Sequence, residues 1–333
     1  MHRNLGWILS HFFIRHAFTQ EAKLAGENIV SNVKDALKKR LRESWMEDAV
    51  MRQAVQKLEN MGMKIGYPTK SPNVEDPAAI KDMYKNVPVS AWSFFNNTLR
   101  MRQLVVGNRW LALGKPMDRD LWMGSLPTVD AHYDPSRNEI VIPAGIMRFP
   151  LFSIDLPAYV SYGALGSLAG HEIGHAFDSE GRRYDQNGNY TDWWTEPTVA
   201  EFERRARCYI DQYSRFSIPG LDGKPVFVNG LQTLAENIAD ATGLAAAFEA
   251  WKLTRGISDP DLPGLEFFSH EQLFFLSYAN FWCGKSRTEA AVTRIRTDPH
   301  APNWARILGT VANSRGFRES FRCRERDPAC QIW

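Results

Sequence analysis

A chain of 333 residues, 44% of them hydrophobic, is long enough for one large or two modest domains with a substantial core. Its 40 basic and 38 acidic residues give a net charge of +2, so composition offers no electrostatic case for nucleic acid or an anionic membrane as partner. No apolar run approaches the roughly 18 residues of a membrane span, and Leu5 to Leu9 is too short for a signal-peptide core.

Residues 18 to 65 have helical composition uninterrupted by proline, and Tyr67 to Pro77 reads as a Pro-rich loop. The basic runs Lys38-Lys39-Arg40 and Arg204-Arg205 with Arg207 fall in helical stretches and are expected to be solvated faces. A helix is expected from about Trp92 to Val106, and a β-strand from Asn138 to Ile142 before the turn Pro143-Ala144-Gly145. If that strand lies at a sheet edge it can pair with an extended peptide; an internal strand is the alternative. The next helix is bracketed by Pro157 in its first turn and Gly181 beyond its end. Within it Gly163, Gly166, Gly170 and Gly174 recur at spacings of three and four, the mark of close approach by another element. Asn187-Gly188 predicts a turn before Trp193-Trp194. Thr233 is a candidate N-cap for a helix running through Trp251, and Asp259-Pro260 to Gly264 is a loop.

The chemistry concentrates in His171-Glu172-Ile173-Gly174-His175. Helical positions i and i+4 lie one turn apart on one face, so both imidazoles can reach one metal ion. Glu172 sits beside the first, where a carboxylate can take a proton from water. A zinc site of this kind needs a third protein ligand. The best candidate is Glu236, 61 positions after His175, with Asp240 on the same helical face to accept a hydrogen bond from a ligand imidazole. The apolar neighbours Leu234, Ile238 and Leu244 argue that this helix is largely buried, where unpartnered carboxylates are expensive. His2, His11, His16 and His270 have no ligand-like context and are expected in ordinary surface or core roles.

Four blocks in order make the chain resemble the C-terminal part of the neprilysin/endothelin-converting enzyme family of zinc metallopeptidases: Ala131 to Phe152, Ser161 to Trp194, Val228 to Leu244 and Gln272 to Trp333. Trp45-Met46 and Lys64-Ile65-Gly66-Tyr67-Pro68 resemble the segment before those blocks. The resemblance implies a mainly α fold with a small β-sheet, a zincin (thermolysin-like) catalytic domain at residues 96–333, and a helical segment at 1–95 that ends the family's second lobe and linker. It implies His171, His175 and Glu236 as ligands of one Zn2+, Glu172 as general base, and Asp178 and Asp240 as acids steadying the ligand histidines. It further implies His300 as oxyanion stabiliser, Arg306 as a contact for substrate carbonyls, and Asp130-Ala131 as holders of the peptide backbone. Asp130 departs from the family's asparagine, Ala235 from its glycine, and His132 from its aromatic residue. Cys208 is implied to pair with Cys330 if the protein is secreted, while the family partners of Cys283 and Cys323 lie in sequence that this chain does not contain.

The expected function is therefore a zinc-dependent endopeptidase that hydrolyses oligopeptides on the amino side of hydrophobic residues, in an extracellular protein or ectodomain. Ile146, Leu151, Leu168, Phe281 and Trp282 are the candidates for the specificity pocket, and any of them is equally a core residue by type. The competing reading is a truncated relative that binds zinc or peptide without turnover, since most of the enclosing lobe has no counterpart here.

Overall fold

The computed structural model describes residues 2–254 and 259–333 and is mainly helical with small sheets. The first part carries α1 (His2–Ala17), α2 (Gln20–Arg42), α3 (Asp48–Glu59), β1 (Gly62–Gly66), α4 (Pro77–Tyr84), α5 (Phe94–Ala112), β2 (His132–Asp134) and β3 (Glu139–Pro143). Next comes a continuous helical stretch, made of α6 (Ala158–Ser161), a π-helical turn (Tyr162–Gly166), α7 (Ser167–Gly174) and a 3₁₀ turn (His175–Phe177). Then come α8 (Glu196–Tyr213), the β4–β5 hairpin (Ser217–Pro219 and Pro225–Phe227), α9 (Leu234–Thr254), α10 (His270–Phe281), α11 (Thr288–Thr297), α12 (Asn303–Ala312) and α13 (Arg315–Ser320).

Contacts divide the chain into two compact units. The smaller gathers Met1–Leu24, Lys64–Asp130 and Ile142–Ile146. Its core includes Ile14, Phe18, Tyr67, Val74, Ile80, Trp122 and Leu126. Here His11 is a buried structural residue whose Nδ1 lies 2.8 Å from the Val74 carbonyl. The side chain of His2 lies outside the described residues. Helix α5 buries only Met101 and leaves Phe94, Phe95 and Trp110 exposed.

The larger unit comprises Ala25–Met63, Ala131–Val141 and Met147–Trp333. Its centre is the packing of α7 on α9, and the glycine stripe explains how close they come. A Cβ on Gly170 would lie 2.6 Å from the Gly243 carbonyl oxygen, and one on Gly243 would lie 2.3 Å from the His171 nitrogen. Gly163 similarly faces the Phe274 carbonyl on α10. Backbones this near exclude any side chain, so the spacing in α7 is a packing signal. Tyr159, Tyr209, Tyr213, Phe202, Trp251 and Phe274 fill the surrounding core. Cys208 and Cys330 form a disulfide, whereas Cys283 is exposed and free and Cys323 is half-buried and free.

Several expectations need correction. The strand at 139–143 is internal, in a sheet of order β1-β3-β2, with His132 opposite Val141 and Asp134 opposite Glu139. It presents no edge to a peptide; β2 is an outer strand. Asn138 precedes it in a left-handed turn conformation (φ 46°), which asparagine tolerates, and is fully buried. Residues 62–66 are a strand, because the short β1 finds a partner in β3 that local composition does not reveal. The helix carrying the two histidines ends at Phe177 with Gly181 beyond it, as expected; Asp178 turns extended and its carboxylate caps the Glu180 and Gly181 N–H groups. Arg40 is not a solvated face: it pairs with Glu249 and donates to the Trp333 carbonyl.

Candidate metal centre

His171 and His175 project from the last turn of α7 and the 3₁₀ turn after it, and Glu236 from the first turn of α9. The close approach at Gly170 and Gly243 brings these elements together, and one donor atom from each residue lies within 4.8 Å of the others. Nε2 of His171, His175 and His300 lie 3.2, 3.6 and 3.1 Å from Glu236 Oε2. That oxygen is buried and has no hydrogen-bond partner of good geometry. Two imidazole nitrogens 3.0 Å apart and an orphaned carboxylate oxygen converging on one point fit a cation. The nitrogen and oxygen donor set suits zinc.

Each imidazole is held from behind. Asp240 Oδ1 is 2.8 Å from His171 Nδ1, and Asp178 Oδ2 is 2.6 Å from His175 Nδ1. The other Asp178 oxygen accepts the Glu180 and Gly181 backbone N–H groups at 2.7 and 2.6 Å. Arg306, nearly fully buried, gives Nε and Nη2 to the two Asp240 oxygens, each at 2.7 Å. Its guanidinium stacks 3.8 Å from the Trp282 ring centre. Asp298 accepts from His300 Nδ1 at 2.7 Å and from the His300 backbone.

Electrostatics reflect this geometry. Burial pulls His175 down, but Asp178 and Glu236 outweigh it and hold the imidazole well above its usual pKa of 6.5. His171 is raised as well: burial and His175 oppose protonation, and Asp240 and Glu236 prevail. His300 is raised chiefly by Glu236. Against strong burial, the three imidazoles keep the Glu236 carboxyl far below the ordinary range. A deprotonated carboxylate among raised imidazoles is a centre that exchanges protons for a cation.

Glu172 is buried beside His171, and its carboxylate has no hydrogen bond or ion pair among the described residues. Asp130 is exposed and Ala131 half-buried, immediately before β2. Asp130 and Ile146 belong to the smaller unit. Of the remaining pocket candidates, Leu151 and Leu168 are buried and Phe281 and Trp282 half-buried. Trp282 and His300 share a cleft of about 580 Å³ with Ile218, Lys285 and Trp304, which Leu151, Leu168 and Phe281 do not line. Three contributors went unread in the sequence. Gly243 had a signal, since Ala235, Ala239 and Gly243 repeat small residues every four positions. Asp298 had one too, two residues before His300. Lys57, whose Nζ donates to the carbonyls of Ala176, Gly181 and Tyr184 around Asp178, had none.

The chain is similar to proteins of known family. Residues 130–331 match a model described as peptidase family M13, and residues 1–68 match the N-terminal model of the same family. An endothelin-converting enzyme homolog of Locusta migratoria is 38% identical over 99% of this chain and 45% of its own length. Human endothelin-converting enzyme 1 is 34% identical over 99% of this chain and 43% of its own length. Among solved structures, the Mycobacterium tuberculosis zinc metalloprotease Zmp1 in complex with inhibitor superposes with a TM-score of 0.85 at 32% identity, covering 98% of this chain and 48% of that one. The chain thus spans less than half the length of these relatives, and the likeness agrees with the expected zincin-like fold.

Proposed function

Because the chain belongs to peptidase family M13, we propose that it is the catalytic part of a zinc-dependent endopeptidase that hydrolyses oligopeptides. The observation that carries this reading is the convergence of His171, His175 and Glu236 beside a buried, unpartnered Glu172. His171, His175 and Glu236 would hold a zinc ion, which would supply Lewis acidity to polarise a carbonyl and lower the pKa of water to about 7. Glu172 takes the proton of the attacking water and delivers it to the leaving amine. His300, fixed by Asp298, donates to the oxyanion of the tetrahedral intermediate. Asp178 and Asp240 orient the ligand imidazoles. Arg306 anchors Asp240 and stacks on Trp282, and it is proposed to contact substrate carbonyls.

Cleavage before hydrophobic residues is proposed on the apolar character of Ile146, Leu151, Leu168, Phe281 and Trp282. Asp130 and Ala131 are proposed to hold the peptide backbone. An ionised aspartate only accepts hydrogen bonds, so Asp130→Asn should raise kcat/KM for short peptides with free C-termini more than for their amides. Residues 1–95 are proposed as the end of a second lobe and linker and 96–333 as the catalytic domain, which the separate family matches support. The Cys208–Cys330 bridge supports an oxidising, extracellular setting, and no helix among the described residues is long and apolar enough to cross a membrane. The competing reading, metal or peptide binding without turnover, is disfavoured by the presence of Glu172.

Metal analysis combined with a fluorogenic peptide assay tests the assignment. His171→Ala, His175→Ala and Glu236→Ala should each lose zinc, whereas Glu172→Gln should keep zinc and lose hydrolysis. Zinc retained in Glu236→Ala, or lost in Glu172→Gln, breaks it. Wild type that binds zinc but cleaves nothing supports the non-catalytic reading.

A further inference from the structure

Lys57 lies on α3 and is fully buried. Its Nζ donates to three backbone carbonyls: Ala176 at 2.8 Å, Gly181 at 2.7 Å and Tyr184 at 2.6 Å. Only an ammonium has three N–H donors, so the charged form alone can donate to all three carbonyls at once. The Phe177 and Trp193 rings lie 5.6 and 5.9 Å away. Nζ forms no ion pair among the described residues, and burial pulls its pKa down to about 7 against the fields of Asp178 and Asp185. A buried cation of this kind is costly, and its placement identifies what it holds.

The three carbonyls belong to one turn, and that turn carries Asp178. The Gly181 peptide is engaged twice: its N–H donates to Asp178 Oδ1 and its carbonyl accepts from Lys57. The turn also folds tightly onto the zinc motif, since a Cβ on Gly181 would lie 1.7 Å from the His175 carbonyl oxygen. From there Asp178 Oδ2 reaches His175 Nδ1. We propose that Lys57 is a positioning residue for the metal centre, fixing the 176–184 turn so that Asp178 orients the His175 imidazole. This role rests on the reading of His171, His175 and Glu236 as zinc ligands. Without Lys57 the Ala176 carbonyl loses its donor, and Gly181 and Tyr184 keep only the Tyr184 N–H and Trp193 Nε1; the turn loses its tie to α3 and with it the hold on Asp178. Loss of such outer partners typically weakens metal binding by about 10–100-fold.

A purely structural staple predicts a different result: lower stability with unchanged zinc affinity. The two are separated by measuring zinc dissociation constants of the full chain against a chromophoric chelator, with circular dichroism to verify folding. Lys57→Met should weaken zinc binding by about 10–100-fold and perturb the visible spectrum of the cobalt-substituted protein. Asp178→Asn should do likewise, and the double variant should be no weaker than the worse single, because both act through His175. If Lys57→Met does not fold, Lys57→Gln, which keeps two amide donors, is read in the same way with an effect at the lower end. Wild-type affinity in a folded Lys57 variant, or fully additive losses in the double variant, overturns the proposal. A wild-type protein that binds no zinc instead sinks the reading beneath it.

Discussion

Asp240 shows how one residue serves both folding and the site. Burial alone would raise its pKa, but Arg306 and His171 hold it at about 2, below the ordinary 3.8. A folded pKa below the unfolded value means that folding favours the ionised form. Its stabilisation is therefore complete above about pH 4 and disappears as pH falls through about 2, worth roughly 2 kcal/mol at 1.36 kcal/mol per unit. Asp240→Asn should flatten this part of the acid limb in urea unfolding of the metal-free protein. It should also lower stability at neutral pH by about 3–5 kcal/mol, because Arg306 is left as an unpaired buried charge. Parallel acid limbs in wild type and variant would rule out Asp240 as the titrating group. The residues of this site were legible by type: two histidines at helical spacing around Glu172, and a second helical pair, Glu236 and Asp240. Arg306 was legible only by its block, and its grip on Asp240 was not, because the two are 66 positions apart.

At the scale of elements, the contact of α7 with α9 determines whether the proposed ligands His171, His175 and Glu236 meet. Gly170→Ala and Gly243→Ala place a methyl against backbone at 2.6 and 2.3 Å, where nothing flexible can yield. Each should destabilise by about 1–3 kcal/mol through overpacking, despite the roughly 1 kcal/mol that alanine gains in helix propensity. Each should also reduce bound zinc by moving α9 and Glu236 away from α7. Gly166→Ala is the contrast: its Cβ would meet the Tyr162 ring and Ala247 at ordinary distances of 3.4 and 3.5 Å, so it should be neutral or slightly stabilising. Thermal unfolding with metal analysis across the three variants decides this, and equal effects would refute the close-packing account. The glycine period was visible along α7. The π-helical turn at Tyr162–Gly166 was not, since all five of its residues are buried and no polar face records the shift in phase.

At the scale of the whole molecule, the Cys208–Cys330 bridge closes a separation of 122 residues. Beyond it Trp333 is buried, stacked on Trp45 and edge-on to Phe177 and Trp194, and its Nε1 donates to Thr242 at 3.1 Å. Reduction, or Cys208→Ser, should remove about 2–5 kcal/mol of stability by freeing the unfolded chain and releasing this tail. Melting temperatures with and without reductant check it, and an unchanged value would show that the aromatic packing holds the segment without the bridge. Exposed Cys283 should alkylate without reduction, while Cys208 and Cys330 should not.

The sequence by itself determined local facts: that helices occupy much of 18–65, 92–106, 157–181 and 233–251, that His171 and His175 share a face, that Glu236 and Asp240 share another, and that glycines line the side of α7. Those depend on periods of a few residues, and the chain carries them openly. Tertiary structure alone decided that the strand at 139–143 is internal, that Gly243 meets Gly170, that Arg306 grips Asp240, and that Lys57 closes the turn after His175. Each joins residues tens of positions apart, and their pairing depends on how the elements exclude water together rather than on any local pattern.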